Sequence, residues 1–234
     1  MRKRLFFAGA ICCLGFLAMI LVSSPATASG KKPIKLKVSV AYPAKHPLTV
    51  KGFGEWAKKI EEKTGGKVKV TLFPGGTLSK VRENYDATIS GVCDISMYVP
   101  AYAAGRFPLS NAMNLPMLFP SSAVASQAAW DLYGKFPEIA KEYHETQLLF
   151  FYFTPPYEIH TVKKAVNRME DLKGLQIRTA GPISAKIMAA FGASPVAISM
   201  PEAYMGLQKG VLNGLVSPYG PMRGFKTANV TFVW

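Results

Sequence analysis

Two strictly alternating stretches with a helical pattern between them limit what this chain can become. Ile34-Lys-Leu36-Lys-Val38-Ser-Val40 alternates apolar with polar residues, the pattern of a strand with one buried face. Tyr42 to Pro47 reads as a loop. Phe53, Trp56, Ala57 and Ile60 then recur at helical spacing, with Glu55, Lys59, Glu62 and Lys63 on the other faces. Gly65-Gly66 stops that helix, and Lys67 to Leu72 alternates again as a second strand. Residues 79–90 predict a helix, and Gly91 to Met97 a short buried strand. A βαβαβ order demands crossover helices and a parallel sheet.

Residues 98–120 are rich in loops, with prolines at 100, 108, 116 and 120. Residues 121–133 and 137–145 predict helices. The apolar, aromatic run Leu148 to Phe153 predicts a central strand. After Thr154-Pro155-Pro156-Tyr157 the βα pattern restarts. A strand is expected near Glu158 to Thr161 and another over Leu175 to Arg178. A helix from Ser184, a strand over Val196 to Ile198 and a helix from Pro201 follow. Val211-Leu212 leads into a further strand. A lobe boundary near Thr154 divides the chain into lobe I, 29–153, and lobe II, 154–234.

The first 28 residues are expected to leave the mature protein. Arg2, Lys3 and Arg4 precede an almost wholly apolar run from Leu5 to Val22, then a Pro25 break and Ala26-Thr-Ala28. That is the pattern of a secretory signal peptide cleaved after Ala28, which directs the chain to the periplasm. Two of the three cysteines, Cys12 and Cys13, lie inside the apolar run. Cys93 alone remains, so no internal disulfide can form and an ordinary core must hold the fold. No second apolar run approaches the length of a membrane span, which predicts a soluble mature protein. The formal charge of +14 would suit a polyanion. Its lysines are scattered over helix and strand faces without interleaved aromatics, so nucleic acid is not expected as a partner.

Within lobe II the chain reads Asp171-Leu-Lys-Gly174-Leu-Gln-Ile-Arg178-Thr-Ala-Gly181-Pro182. Arg178 projects from a strand end beside a helix start, where open α/β sheets bind ligands. A guanidinium there offers a planar fork that matches a carboxylate. Further on stand Gly192-x-x-Pro195-Val196 and Pro201-Glu-x-Tyr204-x-x-Leu207-Gln208-x-Gly210-x-x-x-Gly214. Together with Lys63-Thr-Gly-Gly66 and Gly91-x-x-Asp94, in this order and spacing, the set resembles the extracytoplasmic solute-binding proteins of TRAP transporters, the DctP-type family.

The resemblance implies an α/β, two-lobed periplasmic-binding-protein (Venus-flytrap) fold. Its lobes would close over a small organic acid, which is handed to sodium-driven membrane permease subunits. Arg178 takes the place of the arginine that pairs with the substrate carboxylate in that family. Sugar-acid binders of the family carry a second arginine on the preceding strand, where this chain has Glu158. They carry Asn-Pro after the Gly214 position, where this chain has Ser217-Pro218. A smaller ligand is therefore expected, with Met200, Ser217 and Tyr219 as walls. Tyr98, His46 and Phe153 are further candidates for contact. Family members also run on past Trp234, so lobe II is expected to be incomplete, its C-terminus truncated.

No catalysis, cofactor or metal is expected. His46, His144 and His160 lie far apart, without the spacing of metal ligands. An exported α/β hydrolase is the enzymatic alternative, but it needs a nucleophile elbow, and no Gly-x-Ser-x-Gly occurs. A ligand sensor that kept the fold without transport is the other alternative. A monomer is expected in either case.

Overall fold

The computed structural model describes residues 32–103 and 105–232; the expected signal peptide and residues 233–234 lie outside them. Strand β1 (Ile34–Val40) is central to a parallel three-stranded sheet. It pairs with β2 (Val68–Pro74) along its whole length, Ile34 opposite Val68 and Val40 opposite Pro74. On the other side lies β3 (Ile95–Ser96), in register with Val38 and Ser39. The expected βαβαβ order is therefore realised. A π-helical turn, Leu48–Gly54, runs straight into α1 (Glu55–Lys63), so the helix starts earlier than its apolar spacing suggests. Val38, Val40 and Tyr42 are buried under Leu48, Phe53 and Trp56, the face that the alternation predicts.

The second crossover is broken into a 3-10 turn, Val81–Glu83, and α2 (Asn84–Ile89). Asn84, fully buried, explains the fixed geometry at that break. Its Oδ1 accepts from the Ser39 and Ser79 hydroxyls at 3.0 and 2.6 Å, and its Nδ2 donates to the Met97 carbonyl at 2.8 Å. One buried amide thus ties β1, the crossover and the segment beyond β3 together.

A 3-10 turn, Pro100–Tyr102, then leads to α3 (Pro108–Ala112), α4 (Ser122–Lys135) and α5 (Pro137–Lys141). Ser121 caps α4 by accepting from the Val124 amide at 3.3 Å. The run Leu148 to Phe153 is not the strand its composition predicts. Leu148 and Phe151 pack on the cluster of Tyr85, Phe107 and Tyr143. Phe150 is 57 % exposed, and the Phe153 amide donates to the Ser126 hydroxyl at 3.0 Å. Among the described residues this run joins no ladder. Its apolar side chains settle on the aromatic cluster and α4 instead.

The second sheet has the order β4-β7-β5-β6. Its strands are β4 (Glu158–Thr161), β5 (Gln176–Thr179), β6 (Ser194–Ala197) and β7 (Gly214–Ser217). The pairs of β5 with β6 and with β7 are parallel, and α6 (Pro182–Ala190) and α7 (Met200–Gln208) are the crossovers. Strand β4 runs antiparallel to β7. Helix α8 (Tyr219–Gly224) follows β7. Phe232 forms an isolated antiparallel bridge with Thr161. Two cores flank this sheet, one around Met200, Ala203 and Leu215, the other around Leu172, Ile177 and Val216.

Candidate functional site

Arg178 is the third residue of β5 and is only 2 % exposed. Ile177, one position earlier, is fully buried in the core on the opposite face of the sheet. The Arg178 guanidinium is held by neutral acceptors. Nε donates to the Ile198 carbonyl at 2.8 Å, Nη1 to the Val216 carbonyl at 3.5 Å, and Nη2 to the Tyr102 hydroxyl at 3.3 Å. Among the described residues no carboxylate lies within 4.0 Å of it. A buried charge without a counter-ion is costly, and buried charges are ordinarily paired. Three of the five N–H groups of the side chain are engaged, which leaves donors for an anion.

Arg178 lines a cavity of about 80 Å³. That is room for roughly half a dozen water molecules, the space a small organic molecule would displace. Met97, Val99, Ala180, Pro201, Pro221 and Phe225 make most of the wall apolar. Tyr102, Tyr157 and Ser217 add hydroxyls. Tyr157 is 47 % exposed as a residue, yet its hydroxyl end is crowded. Burial pushes its pKa up, and the nearby Arg178 charge opposes that shift.

The two sheets meet across this cavity. Arg82, in the turn before α2, donates to the Tyr102 carbonyl at 3.2 Å and to the Ala197 carbonyl at 3.1 Å. Its guanidinium lies 5.2 Å from the centre of the Tyr102 ring and 3.9 Å from Glu202. Glu202 itself caps α7, accepting from the Ser199 hydroxyl and amide at 2.5 and 2.8 Å. Those bonds from Ser199 hold its pKa below the usual carboxylate value, helped by Arg82 and Arg178.

Residues 39–232 match the family model described as bacterial extracellular solute-binding protein, family 7, DctP. The chain belongs to this family. A curated relative, the 2,3-diketo-L-gulonate-binding periplasmic protein YiaO of Escherichia coli, is 27 % identical over 68 % of the chain and 49 % of its own length. A TRAP solute-binding protein from a marine metagenome, specific for aromatic acids and crystallised with 3-hydroxybenzoate, superposes with a TM-score of 0.82 at 28 % identity. That match covers 87 % of this chain and 63 % of the other. A Bordetella bronchiseptica TRAP periplasmic solute-binding protein with bound (R)- and (S)-mandelate gives 0.79 at 32 % identity, over 85 % of this chain and 63 % of the other. The mixed α/β, two-lobed fold is thus that of the TRAP binding proteins. The chain spans about half the length of the curated relatives it matches.

Three of the DctP-site residues expected from sequence, Arg178, Met200 and Ser217, line the cavity. Five others stand just outside it. Glu158 is exposed at the start of β4, opposite Ser217 in register, while its neighbour Tyr157 lines the wall. Tyr98 packs on Tyr85 and Phe107 at 5.5 and 5.6 Å, and burial pushes its hydroxyl up to about 12, whereas Val99 faces the cavity. Phe153 stands edge-on to Phe119, and Thr154 lines the wall in its place. These three are one-residue slips, and in extended chain one residue turns a side chain to the other face.

Tyr219 is 58 % exposed and meets the His160 ring edge-on at 5.2 Å. His46 lies one layer behind the wall, stacked on Tyr42 at 4.1 Å. The Ser217 hydroxyl already donates to the Pro218 carbonyl at 3.0 Å, so it contributes shape to the wall and no free donor. Sequence reading missed Tyr102, Tyr157, Arg82 and Phe225. Their signal was faint: two tyrosines within proline-rich loops, and one arginine in what read as a plain helix. Among the described residues no group of three or more His, Cys, Asp or Glu is placed to hold a metal.

Proposed function

We propose that this chain is the solute-capturing component of a TRAP transporter, taking a small organic acid by its carboxylate at Arg178. One observation carries the reading: a guanidinium buried to 2 %, held by carbonyls and one phenol, borders an apolar cavity, and among the described residues no carboxylate lies within 4.0 Å of it. A ligand carboxylate there supplies the missing counter-charge in a low-dielectric setting, where charge-assisted bonds are strongest. Aromatic acids bound by two solved relatives support an acid with an apolar body. Periplasmic location and delivery to sodium-driven permease subunits follow from the family. So does a role in binding without catalysis.

Calorimetric titration with 3-hydroxybenzoate, mandelate and aliphatic monocarboxylates tests the reading. At least one should bind, and Arg178→Ala should weaken it by about 2 kcal/mol or more, on the order of thirty-fold. Equal affinity in wild type and Arg178→Ala would sink the carboxylate assignment.

A further inference from the structure

The Tyr102 hydroxyl lies 3.3 Å from Arg178 Nη2 and 3.3 Å from the Met200 backbone nitrogen. Neither nitrogen can accept a hydrogen bond, since guanidinium and amide N–H groups only donate. The phenol oxygen therefore accepts both, and both of its lone pairs are occupied. Its own proton must point away from these donors, and among the described residues no acceptor meets it. Tyr102 and Arg178 line the same cavity.

We propose that Tyr102 is the second half of the carboxylate clamp. Its O–H donates to one carboxylate oxygen while Arg178 donates to the other. The proposal rests on reading this cavity as an acid site. Two incoming N–H bonds polarise the phenol and make its proton a better donor. The ring is held for this task. Arg82 grips the Tyr102 carbonyl and lies over the ring face, as described above. On the adjacent residue, Gly181 leaves no space for a Cβ against the Ala101 carbonyl, so the turn rests directly on the end of β5.

This arrangement also sets specificity. Tyr102 and Arg178 present only donors, so the ligand group must accept at both atoms. A carboxylate does. A primary carboxamide would turn an N–H toward a donor and leave buried groups unpaired. Arg178, with no carboxylate within 4.0 Å among the described residues, and an apolar wall further select a single negative charge on an apolar body. Because Tyr102 comes from the segment after β3 and Arg178 from β5, one carboxylate is bonded to both halves of the protein at once.

The test uses 3-hydroxybenzoate and 3-hydroxybenzamide as paired probes. The wild-type chain should bind the acid and reject the amide. Tyr102→Phe keeps the ring and should bind the acid about tenfold or more weakly. Its ligand-free melting temperature should fall by about 2–8 °C, because the Arg178 and Met200 N–H groups lose an acceptor, and the variant should still be folded at the titration temperature. Proton NMR of the wild-type complex should show a slowly exchanging hydroxyl resonance that Tyr102→Phe abolishes. Unchanged affinity in Tyr102→Phe, or weakened affinity with no such resonance in the wild-type complex, overturns the clamp and leaves the Arg178 reading standing. If wild type binds the acid and its amide equally, or Arg178→Ala binds as wild type does, the acid-site reading fails and the clamp fails with it.

Discussion

Gly181 and His46 are two positions where one side chain decides the outcome. Gly181 is extended, with φ of −169°, so its backbone would suit any residue. What it lacks is space: a Cβ would collide with the Ala101 carbonyl oxygen. Gly181→Ala should therefore push the Tyr102 turn off the end of β5 and destabilise by about 1–3 kcal/mol, as overpacking does. A paired loss of melting temperature and of acid affinity would show it. His46 is buried between Tyr42 and Gly224, and its Nδ1 accepts from the Leu48 amide at 3.2 Å. Burial lowers its pKa below 6.5, partly offset by the Gly220 backbone.

The sign of the resulting pH effect follows. The unfolded chain takes up a proton at higher pH than the folded one does. The contribution of His46 is thus fully present above about pH 6.5 and falls as pH drops below that value. Melting temperatures between pH 7.5 and 5 should decline less steeply in His46→Phe, which keeps the stack on Tyr42; parallel slopes would remove His46 as the cause. Arg178 was legible because a strand end before a Gly-Pro break announces itself by alternation, whereas Met200 and Ser217 were named only through the family resemblance. Tyr98 and Phe153 stand one position from wall residues because irregular chain carries no periodic signal to fix which face a side chain takes, and Glu158, the first residue of β4, stands one position from Tyr157.

Helix α7 shows an element whose ends are written in local chemistry. Ser199 and Glu202 form a reciprocal cap, and Pro201 stands in the first turn. Ser199→Ala should cost about 1 kcal/mol, read as a lower denaturation midpoint without a change of slope. The depressed pKa of Glu202 adds an acid limit. Its stabilising charge is present above about pH 4.3 and is lost as pH falls through the lowered folded-state value. Strands β1 and β2 were legible for a similar reason, as alternation of apolar with polar residues. The run Leu148 to Phe153 was not, because its composition suits either a central strand or an aromatic patch. Ladder partners, which are remote in sequence, decide between the two. Strand β3 has only two ladder residues, and on either side of it the Asp94 and Met97 amides still donate to the Lys37 and Ser39 carbonyls of β1.

At the scale of the whole molecule, Arg82 is one of the groups that join the two halves, through its bond to the Ala197 carbonyl. Arg82→Ala removes two hydrogen bonds to carbonyls and the cation above Tyr102, without touching the cavity wall. Acid affinity should fall by about 1 kcal/mol, roughly fivefold, through a faster off-rate. A change in on-rate alone would point to long-range attraction of the anion instead. The doubly layered architecture was legible from the order of helices and strands. The contacts between sheets were not, because each joins residues far apart in the chain, as Tyr102 does with Arg178 and Arg82 with Ala197. Phe225 is the apolar counterpart of these polar ties. It packs against the cluster around Val38 and also against the cluster around Leu215. A side chain common to two cores cannot be exposed by one without costing the other. Heat should consequently melt both sheets in one calorimetric transition, and Phe225→Ala should split that peak into two.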